Sequence, residues 1–476
     1  MPATLCRLIL PRRSAGGADG ADGADGPGGD GEEEQILLCR TGDGWSLPAV
    51  ALAGDWLAAE VEAVRAQVRA VLGVDATVLR QLGAAGGEVF AELEWQAPGG
   101  SPAAGGGGFF GRADGAVLAA LPAAQRRVVE GWFESAGGPA AGAPWERRGW
   151  FGAAVEWMDA RLAAARLPRR GPVRQVKAAW AGSAVLAAAT AGGDCYFKAT
   201  AGTPGEARVV LDLAARWSDR LPVVVAADAE RGWLLTRDML GAPLPAPARQ
   251  EALRSFAEIQ AGEAARLAHW RDLGCRERGP AEMAAAAPRL LCEIPRLLAR
   301  GGALADGVAA ELADALPAAT ALCRRLHGLG PPLSIHHEDL RGDNVVLSRG
   351  RPVFFDWADT VIAHPFFSLQ RFLDDAAPPG PPGPPAPAWD GLFAADDPRS
   401  ALRDAYLETW QETVPRARLL EAFRVTRQLQ PLYQLLRYDG AVDLAAWLAA
   451  GPPADELDLA AAVIGAVLEA SRTWAR

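Results

Sequence analysis

Apolar positions along this chain change period more than once. The opening runs ATLCRLILP and EQILLCR read as two strands, and between them lies a GAD triplet repeat ending in three glutamates. Such a repeat cannot bury a core and is expected as a surface loop; its aspartates lack the alternating ligand pattern of a calcium loop. From Trp56 to Leu72 apolar residues recur at helical spacing, at Leu57, Val61, Val64, Val68 and Val71 or Leu72, and Gly73 closes the stretch as a helix C-cap does. A further strand, ATVLRQL, follows. Gly- and Ala-rich stretches around 105–108 and 136–144 predict loops and a domain boundary.

Beyond that boundary, PWERRGWFGAAVEWMDARLAAARLP predicts a linker helix with Trp150, Val155, Met158 and Leu162 on one buried stripe. The period then shortens: QVKAAW, AVLAAAT, DCYFKAT, VVVAAD and GWLLTRDM predict five strands, with one helix, EARVVLDLAARW, interposed. From Pro243 helical spacing dominates, as at Leu253, Phe256, Ile259, Leu267 and Trp270. The run PPGPPGPPAPAW at 378–389 interrupts it and is expected as a polyproline-like surface loop.

Composition narrows the function. At 476 residues the chain is too long for one ordinary core. A net charge of -10 excludes an extended electrostatic footprint for nucleic acid. The six cysteines form no metal-ligand spacing and are expected to be reduced. With no long uncharged apolar run and too short an apolar stretch in MPATLCRLILPRR for a secretory signal, no membrane partner and a cytoplasmic location are expected. Of 48 basic residues only Lys177 and Lys198 are lysine, and Asn344 is the sole asparagine, so each exception to the bias marks a position to inspect.

The segment LSIHHEDLRGDNVVLSRGRPVFFDWAD carries the chemistry. A strand delivers Asp339, a five-residue step reaches Asn344, and a hydrophobic hairpin presents Asp356 at its far end. Phosphoryl transfer needs a carboxylate to orient the acceptor hydroxyl and oxygen ligands for magnesium ions bridging the nucleotide phosphates. Asp339 suits the first task; Asn344 and Asp356 suit the second. The step from Asp339 to Asn344 equals that of a kinase catalytic loop. Lys198, in an apolar strand, needs a partner, and Glu206 opens the helix that follows; a kinase uses such a pair to grip the α- and β-phosphates. A snorkelling lysine beside a dipole-favoured glutamate is the rival reading. Gly182 and Ser183 fall far short of a glycine-rich loop, so a Ser183 contact to phosphate is a hypothesis, and the absence of GxxxxGK[ST] excludes a P-loop. A hinge over 232–241 would offer the main chain near Thr236, Asp238 and Met239 to adenine. His269, His327 and His336 are expected in structural roles.

HHEDLRGDN followed by FFDW resembles the aminoglycoside phosphotransferase and choline kinase family, whose loop reads HGDLHxxN and whose metal motif reads DW or DF. The resemblance extends over QVKAAWAGSAVLAAATAGGDCYFKA and to Asp238 and Gly241, which echo LLEDxxG. It implies ATP and Mg2+ as cofactors, a small-molecule hydroxyl as acceptor, His337 as the loop-bracing histidine and a structural or phosphate-facing Arg341. Glu338 stands where the family commonly has glycine, and Ser368 where it has a second aspartate, which predicts a weakened brace. Asp374, Asp375 and Glu408 fall where the family often recognises cationic acceptors. The first segment looks like a Nudix domain, a family hydrolysing nucleoside diphosphate derivatives, but its metal positions read Gln67, Ala70 and Val71, with Glu60 and Glu62 off the motif, so it is expected to be non-catalytic.

The expectation is therefore an α+β chain: a degenerate Nudix-like α/β domain over 1–140, a linker helix over 141–172, and a bilobal protein-kinase-like body with a small β-rich lobe over 173–241 and a larger α-rich lobe over 242–476. An ATP- and Mg-dependent small-molecule phosphotransferase is the leading reading. The alternative is a catalytically impaired nucleotide-binding pseudokinase or interaction protein, because of Glu338.

Overall fold

A computed structural model describes residues 4–13, 33–42, 44–52, 61–95, 107–135, 142–180, 182–202, 204–376, 397–449 and 454–474. The GAD repeat, Trp56, Leu57, Glu60, most of the two Gly/Ala-rich stretches and the proline-rich run lie outside them. The protein is a mixture of sheets and many helices, and it divides into two compact units, 1–202 with 224–238, and 203–223 with 239–476.

Among the described residues the first unit holds three sheets. In one, Ala49–Leu52, Thr4–Ile9, Glu88–Trp95 and Ala76–Ala85 lie side by side in that order, with Thr4–Ile9 parallel to Glu88–Trp95 and the other pairs antiparallel. The helix Val61–Leu72 buries Val61, Val64, Val68 and Leu72 in a core shared with Leu8, Val50 and Leu93, the helical stripe read from the spacing. In the second, Glu34–Thr41 pairs with Pro11–Arg13, Gly44–Ser46 and Gly108–Gly111, and the helix Ala123–Ser135 covers it with Val129, Trp132 and Phe133. The spacing predicts three of these strands; Pro11–Arg13, Gly44–Ser46, Ala49–Leu52 and Gly108–Gly111 are too short to show a period of two, and Glu88–Trp95 is buried on both faces from Phe90 to Leu93, so it lacks a polar face to alternate with.

The third sheet is the expected five-stranded one. Val224–Asp228, Trp233–Arg237, Gly193–Thr200, Ser183–Thr190 and Arg174–Trp180 follow one another across it, all antiparallel. Gly232 keeps its turn tight: at φ 66° a Cβ there would fall 2.2 Å from the Thr200 carbonyl oxygen. The helix Trp150–Ala164, expected as a linker, contributes to this core instead. Trp157 and Met158 are buried with Phe197 and Trp233, and Trp150 and Val155 pack half-buried against them. Gln175 binds Val78 in both directions, its Nε2 donating to the Val78 carbonyl at 2.8 Å and its Oε1 accepting from the Val78 N–H at 3.1 Å. The sheets on either side of the expected boundary therefore belong to one unit.

Among the described residues the second unit is helical around two small sheets. Ser334–His336 pairs with Val361–Ala363, and the hairpin Val345–Ser348 with Arg351–Phe354 adds Ala242–Pro243 at its edge. Gly241 enters that edge so closely that a Cβ would stand 2.6 Å from Val346 Cβ, which accounts for glycine there. The helices Arg249–Ala264, Phe366–Asp375 and Arg416–Val442 supply Phe256, Phe366, Phe367, Phe423 and Tyr433 to the buried interior. Among the described residues no helix is long and apolar enough to cross a membrane.

Candidate functional site

The segment 334–359 forms the site in the second unit. Strand Ser334–His336 is fully buried and leads into His337, whose Nε2 bonds the Phe355 carbonyl at 2.9 Å and whose ring lies 4.6 Å from that of Trp357. This bond ties the segment ahead of Asp339 to the chain just before Asp356. Burial holds the His337 pKa below its ordinary value, with the Phe355 carbonyl and nearby aspartates pulling the other way, so its neutral form is the favoured one.

Asn344 faces Asp339. Its Nδ2 donates to the Asp339 carbonyl at 2.8 Å and to Asp339 Oδ2 at 3.1 Å, inside a short 3-10 turn whose N–H of Asn344 returns to the Arg341 carbonyl. Both partners are acceptors, so the amide nitrogen must lie on this side and the amide oxygen on the other. The Asn344 carbonyl accepts from Phe355 N, which sets Asp356, at φ 65°, beside the turn at the far end of the hairpin. Trp357 is buried behind it and receives Glu206: Trp357 N donates to Glu206 Oε1 at 3.0 Å. Asp339, His337, Arg341, Asn344, Asp356 and Glu206 are thus brought together in one unit.

Lys198, Ser183, Thr236 and Asp238 belong to the other unit. Lys198 is half-buried on its strand, in register with Val185 and Leu234, on the face opposite Phe197. Ser183 opens the neighbouring strand opposite Thr200, and Thr236 pairs with Tyr196. Two of the main-chain groups proposed for adenine already have partners within their own units: Asp238 N donates to the Asp194 carbonyl at 2.9 Å, and the Met239 carbonyl accepts from Ser348 Oγ at 2.6 Å.

Glu338 is the residue that sequence reading could least explain. It adopts φ 64°, a region where glycine is at ease and a side chain is strained. Its carboxylate turns into the protein, with its side chain only 1% exposed, and meets Tyr433 Oη at 2.5 Å, Arg278 Nη1 at 2.7 Å and Arg437 Nε at 2.8 Å. The buried charge is therefore paired and hydrogen-bonded. Ser368, where a weakened bracing contact is expected, is buried and bonds both the His336 Nδ1 and, at 3.3 Å, Gln260 Nε2. Burial, reinforced by the positive charges of Arg437 and Arg278, lowers the His336 pKa well below its usual range, as suits a structural histidine.

The donor set around the hairpin is one amide oxygen and one carboxylate, both hard oxygen ligands. Among the described residues no group of three His, Cys, Asp or Glu is placed to hold a metal. Magnesium does not require one, since it is commonly bound by one or two protein oxygens with phosphates and water completing the shell. Asn344 and Asp356 fit that pattern.

No family model and no curated protein matches the chain. Its fold has solved neighbours. A choline/ethanolamine kinase family protein from Mesorhizobium loti is 18% identical, with 67% of this chain and 99% of that chain covered and a TM-score of 0.37. A macrolide 2'-phosphotransferase from Brachybacterium faecium is 18% identical, covering 63% and 99%, with a TM-score of 0.39. An amicoumacin kinase in complex with AMP-PNP, Ca2+ and Ami is 13% identical, covering 68% and 96%, with a TM-score of 0.42.

Proposed function

We propose that this protein transfers the γ-phosphoryl group of ATP to a hydroxyl of a small molecule. The observation that carries the reading is the bond from Asn344 Nδ2 to Asp339 Oδ2 within a turn anchored beside Asp356. In the reaction the acceptor oxygen bonds the γ-phosphorus while the bond from that phosphorus to the β,γ-bridging oxygen breaks, and its electron pair leaves with ADP. The hydroxyl proton passes to Asp339 and on to water. A carboxylate oxygen has more than one lone pair, so Asp339 can accept this hydroxyl while keeping Asn344.

Asn344 and Asp356 would hold Mg2+, which when bound supplies charge neutralisation across the phosphates. Glu206 fixes the Trp357 N–H and with it the backbone following Asp356. Lys198 is assigned to the α- and β-phosphates, with Ser183, Thr236, Asp238 and Met239 as further nucleotide contacts. The competing view of an impaired, nucleotide-sensing protein arose from Glu338. Its carboxylate turns away from Asp339 to Tyr433, Arg278 and Arg437, which supports the active reading.

The test is ADP release by the purified chain with ATP, Mg2+ and a panel of hydroxyl compounds. Asp339→Asn is expected to lower kcat by about 10²- to 10⁴-fold and spare nucleotide binding. ATP binding with no turnover of any acceptor returns the impaired reading; failure to bind ATP rejects both.

A further inference from the structure

Asp374, Asp375 and Glu408, the acidic residues expected to greet a cationic acceptor, each have a partner. Asp374 pairs with Arg427 at 2.7 Å, Glu408 with Arg254 at 2.9 Å, and Asp375 Oδ2 accepts from Gly342 N at 2.9 Å. The charges that meet Asp339 are of the opposite sign. Arg341 Nε lies 3.3 Å and Arg371 Nε 3.4 Å from Asp339 Oδ1, and these side chains are 33% and 44% exposed. Both distances exceed those of a good N–H···O bond, in contrast to the 2.7 Å pair of Arg278 with Glu338. Arg341 also leans on exposed Asp343 at 3.0 Å. Arg371 has no second acidic partner among the described residues. A third guanidinium, Arg249, stands beside the same turn, its Nη2 4.0 Å from where a Cβ on Gly342 would be, and its Nε is buried with no hydrogen-bond partner among the described residues.

From this we infer that the acceptor is anionic: a small hydroxyl compound bearing a carboxylate or phosphate, bound through that group by Arg371 and Arg249 while Asp339 receives the hydroxyl. The inference rests on the phosphotransfer reading above. A guanidinium presents a planar fork of donors that matches an oxyanion in two places, and a loosely paired one has that fork to offer. The same charges set an ammonium-bearing acceptor at a disadvantage, because it would meet arginines where its specificity would need free carboxylates. The chemistry is unchanged: the acceptor oxygen bonds the γ-phosphorus, ADP departs with the electron pair, and the proton leaves through Asp339.

The experiment compares matched acceptors with the full chain, ATP and Mg2+, reading ADP release: hydroxy acids and sugar phosphates, their neutral alcohol and sugar counterparts, and amino alcohols and amino sugars. Turnover confined to the anionic set is expected. Arg371→Gln should then raise the acceptor KM about 10- to 100-fold, the loss of one charge-assisted contact, with the KM for ATP unchanged and Arg371→Lys intermediate. Comparing a carboxylate with a phosphate on the same carbon frame identifies which anion is preferred. Turnover of neutral or amino acceptors, or a parallel rise in the KM for ATP, overturns this inference alone. ATP binding without turnover of any class overturns it together with the phosphotransfer reading.

Discussion

Arg437 bonds Glu338 and Asp359 with one guanidinium, Nε reaching Glu338 Oε2 and Nη2 reaching Asp359 Oδ2, each at 2.8 Å. Glu338 immediately precedes Asp339, and Asp359 follows Asp356 by three residues, so the helix Arg416–Val442 ties the two segments of the site together. Burial opposes the charge on Arg437, but Glu338 and Asp359 more than offset it and hold its pKa above the ordinary value. Arg437→Met leaves a buried carboxylate one partner short and is expected to cost roughly 3 kcal/mol of stability. In a Glu338→Gln background the same change should cost much less, because the uncompensated charge is gone. Denaturant unfolding of the four proteins measures the coupling; additive losses would mean that the pair contributes nothing.

Asn344 joins Asp339 to the expected metal position, so its loss should have two separable effects. Asn344→Leu removes the donor to the Asp339 carbonyl and carboxylate, at a cost of about 1–3 kcal/mol. It should also raise the magnesium concentration for half-maximal activity at least tenfold, whereas Asp339→Asn lowers kcat by about 10²- to 10⁴-fold, the range for loss of a positioned base, with the magnesium midpoint unmoved. A magnesium titration of both variants checks this. Equal midpoints in the two variants would remove Asn344 from the metal assignment.

Glu206 has a hydrogen-bonding role that the sequence did not reveal, alongside the ionic one expected from Lys198. Glutamine retains an oxygen to accept from Trp357 N, so Glu206→Gln should leave stability within about 1 kcal/mol while Glu206→Ala loses about 1–3 kcal/mol by stranding a buried N–H. If the carboxylate's charge also serves the nucleotide, Glu206→Gln raises the KM for ATP without changing the melting temperature. An unchanged KM in that variant would confine Glu206 to bracing the Trp357 backbone.

What the sequence made legible was local. Asp339, Asn344 and Asp356 sit on one short stretch whose strand, turn and hairpin follow from alternation and spacing, and the rarity of asparagine in this chain singled out Asn344. The partners of Glu338 were invisible because they are remote: Arg278 lies 60 positions and Tyr433 95 positions away, and no periodicity links them. The same limit applied to the helix Trp150–Ala164, whose apolar stripe announced burial without saying in which core, and to Asp374 and Glu408, whose arginine partners come from other helices. Charge composition gave the acidic total but not its local reversal around Asp339.

Three buried histidines give the second unit a predictable acid limit. Burial pushes the His364 pKa down to about 3, against a smaller opposing pull from a backbone hydrogen bond at Gly330, and lowers His336 and His337 as well. Unfolding exposes imidazoles with pKa values near 6.5, so below that pH the unfolded chain binds protons that the folded chain refuses. Stability therefore holds above about pH 6.5 and falls as pH drops, for His364 down to about 3, where its folded form titrates. His364→Gln keeps an acceptor for the Phe366 N–H, which now bonds Nδ1 at 3.3 Å, and removes the titration. It should lower stability at pH 8 yet reduce the steepness of the acid loss between about pH 4 and 6 by close to one proton. Unfolding free energies across that range, compared with the parent chain, measure the difference; parallel slopes would show that the His364 ring is protonated in the folded protein over the same interval.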